Sequence, residues 1–89
     1  MDYSLLYTKS AENDLALLEL GIAKRIIQKM NFYLNQKEPL KYAKKLQGFK
    51  SDTYRFRVGD FRIIFRQDMK TNKIVILVVL KIAHRRSVY

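Results

Sequence analysis

Apolar and polar residues alternate most strictly between Tyr54 and Phe65, in the run YRFRVGDFRIIF. Tyr54, Phe56 and Val58 alternate with Arg55 and Arg57. Phe61, Ile63 and Phe65 alternate with Arg62, Ile64 and, just beyond, Arg66. A period of two is the signature of a half-buried strand. Gly59-Asp60 between the two runs is a two-residue connection with glycine first, as a type II′ turn prefers. The pattern predicts a β-hairpin with one apolar face and a second face that presents Arg55, Arg57 and Arg62 together.

The rest of the chain follows from its periodicities. Residues 3–7, YSLLY, predict a short first strand. Thr8 or Ser10 can cap a helix, and Glu12 and Asp14 suit its positive N-terminal end. Ala11, Leu15 and Leu18 form its apolar stripe, with Leu17 beside them, and Gly21 is placed to stop it as a C′ residue. Ile22, Ile26, Met30 and Tyr33 or Leu34 predict a second helix, with Lys24, Arg25 and Lys29 on its outer side. Residues 35–52 are irregular; Pro39 breaks the second helix, and Tyr42-Ala43 can form a helical turn. A polar turn over Asp68–Lys73, with Asn72, leads into KIVILVVLKI. Its core, Ile74 to Leu80, is apolar at every position, the pattern of a strand covered on both faces. The helices can cover one face; the C-terminal segment, the preceding loop or a partner protein must cover the other. The predicted order is β-α-α-β-β-β. It makes an α+β fold: an antiparallel sheet with a two-helix hairpin on one face.

Composition narrows the class. The 89 residues suffice for one domain spanning 1–89. Lys and Arg number 18 against 8 Asp and Glu, a formal net charge of +10. Residues 1–48 hold 8 basic and 5 acidic residues, and residues 49–89 hold 10 and 3, so the positive field concentrates where the hairpin lies. A small, strongly basic domain predicts a polyanionic partner such as nucleic acid, the ribosome or an acidic protein. A membrane partner is not expected, because no helix pairs a strongly apolar face with an all-basic one. The start of the chain lacks the basic stretch and apolar core of a signal peptide, and a cytoplasmic location is expected. The chain has no cysteine, which excludes disulfides, a thiol nucleophile and cysteine-ligated zinc.

No metal and no cofactor are expected. A metal nuclease needs carboxylates or histidines gathered at one point, whereas the acids here are scattered and His84 is the one histidine. Ser87 and His84 make a serine hydrolase formally possible, but no Gly-x-Ser-x-Gly elbow is present. What remains is metal-free handling of a phosphodiester. RNA carries its own nucleophile, the 2′-hydroxyl. A protein must then hold the chain for in-line attack, meet the developing phosphoryl charge, and move protons at the 2′- and 5′-oxygens. Arg62, Arg55 and Arg57 can supply the charge. Histidine, with an ordinary pKa near ~6.5, is the side chain suited to proton transfer, which makes His84 a candidate. Tyr89 can titrate or stack on a base. Arg85 stays charged and suits charge stabilisation. Lys41, Lys44 and Lys45 form a basic cluster that is either a solvated loop or a phosphate contact.

Leu46-Gln47-Gly48, the hairpin Tyr54 to Phe65, and the terminal run Ile82-Ala83-His84-Arg85-Arg86-Ser87-Val88-Tyr89 together resemble the RelE/ParE toxin superfamily, the RelE branch most closely. The resemblance covers essentially the whole chain. It implies a type II toxin of a toxin–antitoxin pair, and a RelE-like mRNA interferase that cleaves mRNA in the ribosomal A site. By position, the resemblance makes Arg62 the residue on the scissile phosphate. Arg85 is then assigned to the transition state and leaving group, and Tyr89 orients the mRNA. Arg55 and Arg57 fall on a strand with basic residues for RNA contact and catalysis. Arg86, Lys44 and Lys45 are further candidate RNA contacts. A lysine of the best-known relative would align with Thr53 and is absent here, and His84 can take an acid–base part in its stead. The resemblance also implies a small acidic antitoxin, and operator DNA bound only through it. Three alternatives stay open: a ParE-like inhibitor of DNA gyrase, a degenerate toxin that binds without cutting, and a plain basic RNA-binding module.

Overall fold

The computed structural model describes residues 2–48, 52–70 and 74–84. The elements run β1 (Asp2–Tyr7), α1 (Lys9–Ala16), α2 (Leu20–Leu34), a 3-10 turn (Pro39–Tyr42), β2 (Lys44–Lys45), β3 (Thr53–Val58), β4 (Phe61–Lys70) and β5 (Ile74–His84). The strands form one sheet in the order β1-β5-β4-β3-β2. The α+β fold and the predicted element order are present. The last three long strands are antiparallel, as short connections require. The edge strand β1 instead lies parallel to β5, so the sheet is mixed. A parallel pair needs a long crossover, and the two helices and the hairpin lie between β1 and β5 in the chain.

One face of the sheet carries the core. Ala11, Ile26, Met30 and Tyr33 of the helices pack with Phe56, Val58, Ile63, Phe65, Val75, Leu77, Val79 and Ile82 of the strands. Ile26, Met30 and Tyr33 are three of the predicted stripe positions of α2. An aromatic ladder ties this helix to the hairpin. Tyr33 stacks on Phe56 at 4.5 Å between centroids, and Phe56 stacks on Phe65 at 4.5 Å. Tyr54 continues the ladder at 5.7 Å from Phe65. Such pairs add about 0.5–1.5 kcal/mol each beyond their burial.

Two expectations about the helices change. Thr8 is the cap of α1, accepting from the Ala11 N–H at 3.1 Å. That helix ends at Ala16, with Leu17 as its C-cap, and Leu17 is 86% exposed. Gly21 is the second residue of α2 rather than a stop. The αL stop needs a positive φ, and among the described residues only Gly48 and Gly59 have one. The segment expected to be irregular is partly ordered: Pro39 opens the 3-10 turn, and Lys44–Lys45 adds a fifth, edge strand beside β3. The β4 strand runs on to Lys70, past the start of the expected turn. Asn72 lies outside the described residues.

β5 outruns its parallel neighbour. The β1 pairing ends at Tyr7 opposite Val79, leaving that edge of Leu80–His84 without a strand. Helix α1 and its cap supply the missing partners. The Thr8 N–H donates to the Val79 carbonyl at 3.0 Å, and the Thr8 hydroxyl to the Leu80 carbonyl at 3.2 Å. The Asp14 carboxylate accepts from the Ile82 N–H at 2.9 Å. These bonds surround a bulge. Ile64 pairs with Lys81 but Phe65 pairs with Val79, so Leu80 is an extra residue on β5.

Candidate nucleic-acid interface

The hairpin places the arginines. Val58 pairs with Phe61 across Gly59-Asp60, and Gly59 has φ +58° with no positive φ at Asp60, which fits the expected II′ turn. Strand residues alternate between faces. Tyr54, Phe56 and Val58 join the core, so Arg55 and Arg57 point to the opposite, helix-free face. Phe61, Ile63 and Phe65 likewise join the core and send Arg62 to that face.

Cross-strand register arranges these cations in rows. In the row nearer the turn, Arg57 pairs with Arg62, and Arg62 with Ala83. In the next row, Lys44 pairs with Arg55, Arg55 with Ile64, and Ile64 with Lys81. Five basic residues from four strands therefore share one face. Their exposure differs: Arg62 is 8% exposed, Arg55 half-buried, and Arg57, Lys44 and Lys81 exposed. The Arg57 backbone is held from behind, since the Tyr33 hydroxyl donates to its carbonyl at 3.3 Å. Burial, then the neighbouring Tyr42, pushes the Tyr33 phenol above its ordinary pKa, so it stays protonated as a donor. Thr53 shares the parity of Arg55 and Arg57, pairs with Arg66, and is buried. Arg66 itself is engaged in an ion pair with Asp68, a residue bulged out of β4.

Two candidates stand elsewhere. Lys45 pairs with Tyr54 and so has the parity of the core face; its ammonium lies 3.4 Å from the Asp52 carboxylate. His84 pairs with Phe61 and meets its ring edge-on, 5.3 Å between centroids. That is the helix-bearing side of the sheet, opposite Arg62, so proximity in sequence did not bring His84 among the arginines. Arg85, Arg86 and Tyr89 lie outside the described residues.

Lys81 is not singled out by the alternation of the sequence. It sits at the end of an all-apolar run, where Val75, Leu77 and Val79 face the core. Strict alternation would bury residue 81 as well. The Leu80 bulge resets the phase, burying Ile82 and exposing Lys81. A lysine at a position that alternation assigns to the core was the available signal.

The sheet faces also show what the uniform apolarity of β5 does. Val78 is buried and Ile76 half-buried on the helix-free side, beside Leu6 of β1, which is 54% exposed. The helix-free face thus has basic rows over β2–β5 and a separate apolar patch of Ile76, Val78 and Leu6 on β5 and β1.

Relatives carry the same architecture. The profile of the ParE toxin of the parDE type II toxin–antitoxin system matches residues 5–89. Among solved structures, a chain of the RelBE2 toxin–antitoxin complex of Mycobacterium tuberculosis superposes with a TM-score of 0.73 at 25% identity. The match covers 96% of this chain and 100% of that one. A chain of the RelE–RelB complex of Pyrococcus horikoshii gives 0.72 at 26% identity, covering 98% and 99%. One from the RelB–RelE complex of Methanococcus jannaschii gives 0.66 at 30% identity, covering 94% of each. No curated protein matches the sequence. Two helices with a five-stranded, mostly antiparallel sheet are the RelE-like arrangement. The chain belongs to the ParE toxin family within the RelE/ParE superfamily and is the toxin of a type II toxin–antitoxin system.

Proposed function

We propose that this toxin is a metal-independent endoribonuclease that cleaves mRNA, in the ribosomal A site, through attack of the 2′-hydroxyl on the adjacent phosphodiester. The observation that carries this reading is the pairing of Arg57 with Arg62 in one row and of Lys44 with Arg55 in the next, on a single rigid face. Cations fixed at strand spacing concentrate positive charge that phosphate oxygens can meet. Arg62, nearly enclosed, is held in one place and suits the scissile phosphate. There its guanidinium meets the charge that develops on the equatorial oxygens. Arg57 and Arg55 hold the strand for in-line attack. Arg85 then stabilises the leaving group, Arg86 contacts RNA, and Tyr89 orients a base or moves a proton. His84 stays outside the reacting atoms. The partner that silences the toxin is a small acidic antitoxin, suited to a net charge of +10, and operator DNA is bound only through that partner.

The test is induced expression in a bacterial host with primer extension on an abundant mRNA. Wild type, Arg62→Ala and Tyr89→Phe are compared at matched protein levels. Expected are new 5′ ends inside translated codons, lost in Arg62→Ala. Growth arrest without new ends would refute cleavage.

One observation favours a second reading. Among the described residues, the rows around Arg62 contain arginine, lysine, isoleucine and alanine, with no histidine or carboxylate to accept a proton. Together with the ParE family match, that supports inhibition of DNA gyrase by binding. A supercoiling assay in which this toxin blocks gyrase, with no mRNA ends formed, would select it.

A further inference from the structure

We propose that Lys81 is an RNA phosphate-binding residue. It would extend the basic face across four of the sheet's five strands as a second phosphate subsite beside Arg62. The inference rests on the RNA-directed reading above.

It starts from the register. Lys81, Ile64, Arg55 and Lys44 lie side by side on β5, β4, β3 and β2. Three strand spacings of about 4.8 Å each separate the two lysines, so the row is roughly 14 Å wide. The neighbouring row, with Arg57 and Arg62, lies two residues along the strands, about 7 Å away. A phosphate held by Arg62 therefore has a cation diagonally beyond it on β5. Ile64 separates Arg55 from Lys81 and leaves an apolar surface between two charged ends. A nucleic-acid strand crossing the sheet would meet charge, then an apolar step, then charge, which suits its alternation of phosphate and base.

Lys81 holds this place only because of the bulge. Were Leu80 in regular register, alternation from Leu77 and Val79 would turn Lys81 into the core. The bulge is satisfied on its free edge by Thr8 at Leu80 and by Asp14 at Ile82. A bulge with both flanking groups bonded to α1 is a fixed feature, and it aims an exposed lysine at the basic face. Lys81 has no part in the core, so its replacement does not threaten the fold.

The experiment measures binding apart from cutting. The probe is a short single-stranded RNA, fully 2′-O-methylated so that it has no nucleophile, read by fluorescence anisotropy from 50 to 200 mM salt. One phosphate contact contributes about 0.7 to the slope of log affinity against log salt for single strands. Lys81→Ala is expected to lower the slope by that amount. Its affinity disadvantage relative to wild type would then be about 2.6-fold larger at 50 mM than at 200 mM. Lys81→Glu falls further, Lys81→Arg restores the wild-type slope, and Lys24→Ala, on the outer side of α2, leaves it unchanged. A Lys81→Ala protein with native circular dichroism and the wild-type slope would overturn the proposal, as would wild type that shows no salt-dependent binding. The two readings fail separately. Cleavage in cells with Lys81-independent binding removes only this subsite. Lys81-dependent binding without cleavage removes only the nuclease.

Discussion

Arg62 and His84 are one register step apart on neighbouring strands, yet they look in opposite directions. Arg62 pairs with Ala83, and Phe61 with His84. His84→Phe would keep the edge contact with the Phe61 ring in apolar form. It is expected to retain mRNA cleavage within a few-fold and to melt near wild type; a loss as deep as that of Arg62→Ala would return His84 to the reacting atoms. The arginines were legible in sequence because the alternation of β3 and the start of β4, joined by a two-residue turn, fixes their common side. The side of His84 was not, because an all-apolar strand gives no phase and the Leu80 bulge resets it. Gly59 is a simpler case. Its φ of +58° falls where a side chain is strained, and a Cβ there would meet open space. Gly59→Ala is therefore expected to cost about 1–3 kcal/mol through backbone strain alone, read as a lower melting temperature. An unchanged melting temperature would mean the turn relaxes to another type.

Among the elements, α1 does more than cover the sheet. Its cap and its Asp14 side chain take the place of a missing strand beside β5. Asp14→Ala leaves the Ile82 N–H with no acceptor and is expected to cost about 1–3 kcal/mol, measured by denaturant unfolding, while Asp14→Asn keeps an acceptor and loses less. A cost below about 0.5 kcal/mol would mean that water replaces the carboxylate. On β1, burial raises the pKa of Tyr7 above its ordinary value. The neutral phenol is thus favoured in the fold. Its contribution is complete below about pH 10 and is lost as the pH rises through the folded pKa, because the unfolded chain ionises first. Tyr7→Phe is expected to flatten that alkaline decline relative to wild type in thermal melts; parallel declines would exclude Tyr7 as a source. The elements themselves were mostly legible, since the stripes of α2 and the hairpin are long and regular. The short strand Lys44–Lys45 was not. Two residues carry no period, and only pairing with β3 defines them. The break between the helices was misplaced because a glycine stop needs a positive φ, which Gly21 does not adopt and residue identity alone does not reveal.

At the scale of the whole molecule, the sheet divides labour between its faces. One face is a core built by two helices and an aromatic ladder. The other gathers five of the 18 basic residues into two rows, without a helix over them among the described residues. The fold thus turns a net charge into a local field that a polyanion can meet. The ParE family profile and the RelE structural likeness fix the toxin class, whereas an activity is a property of the site rather than of the fold. In the proposed function, the row containing Arg62 performs RNA cleavage. Its most direct test is a single-turnover assay with purified toxin on ribosomes stalled on a defined mRNA, with 5′ ends mapped for wild type and Arg62→Ala. Expected are a cut within the A-site codon and a loss of at least about a hundredfold on removing Arg62, the scale of deleting one charge-stabilising donor. Intact mRNA with active wild-type toxin, or equal rates for the two proteins, would contradict it.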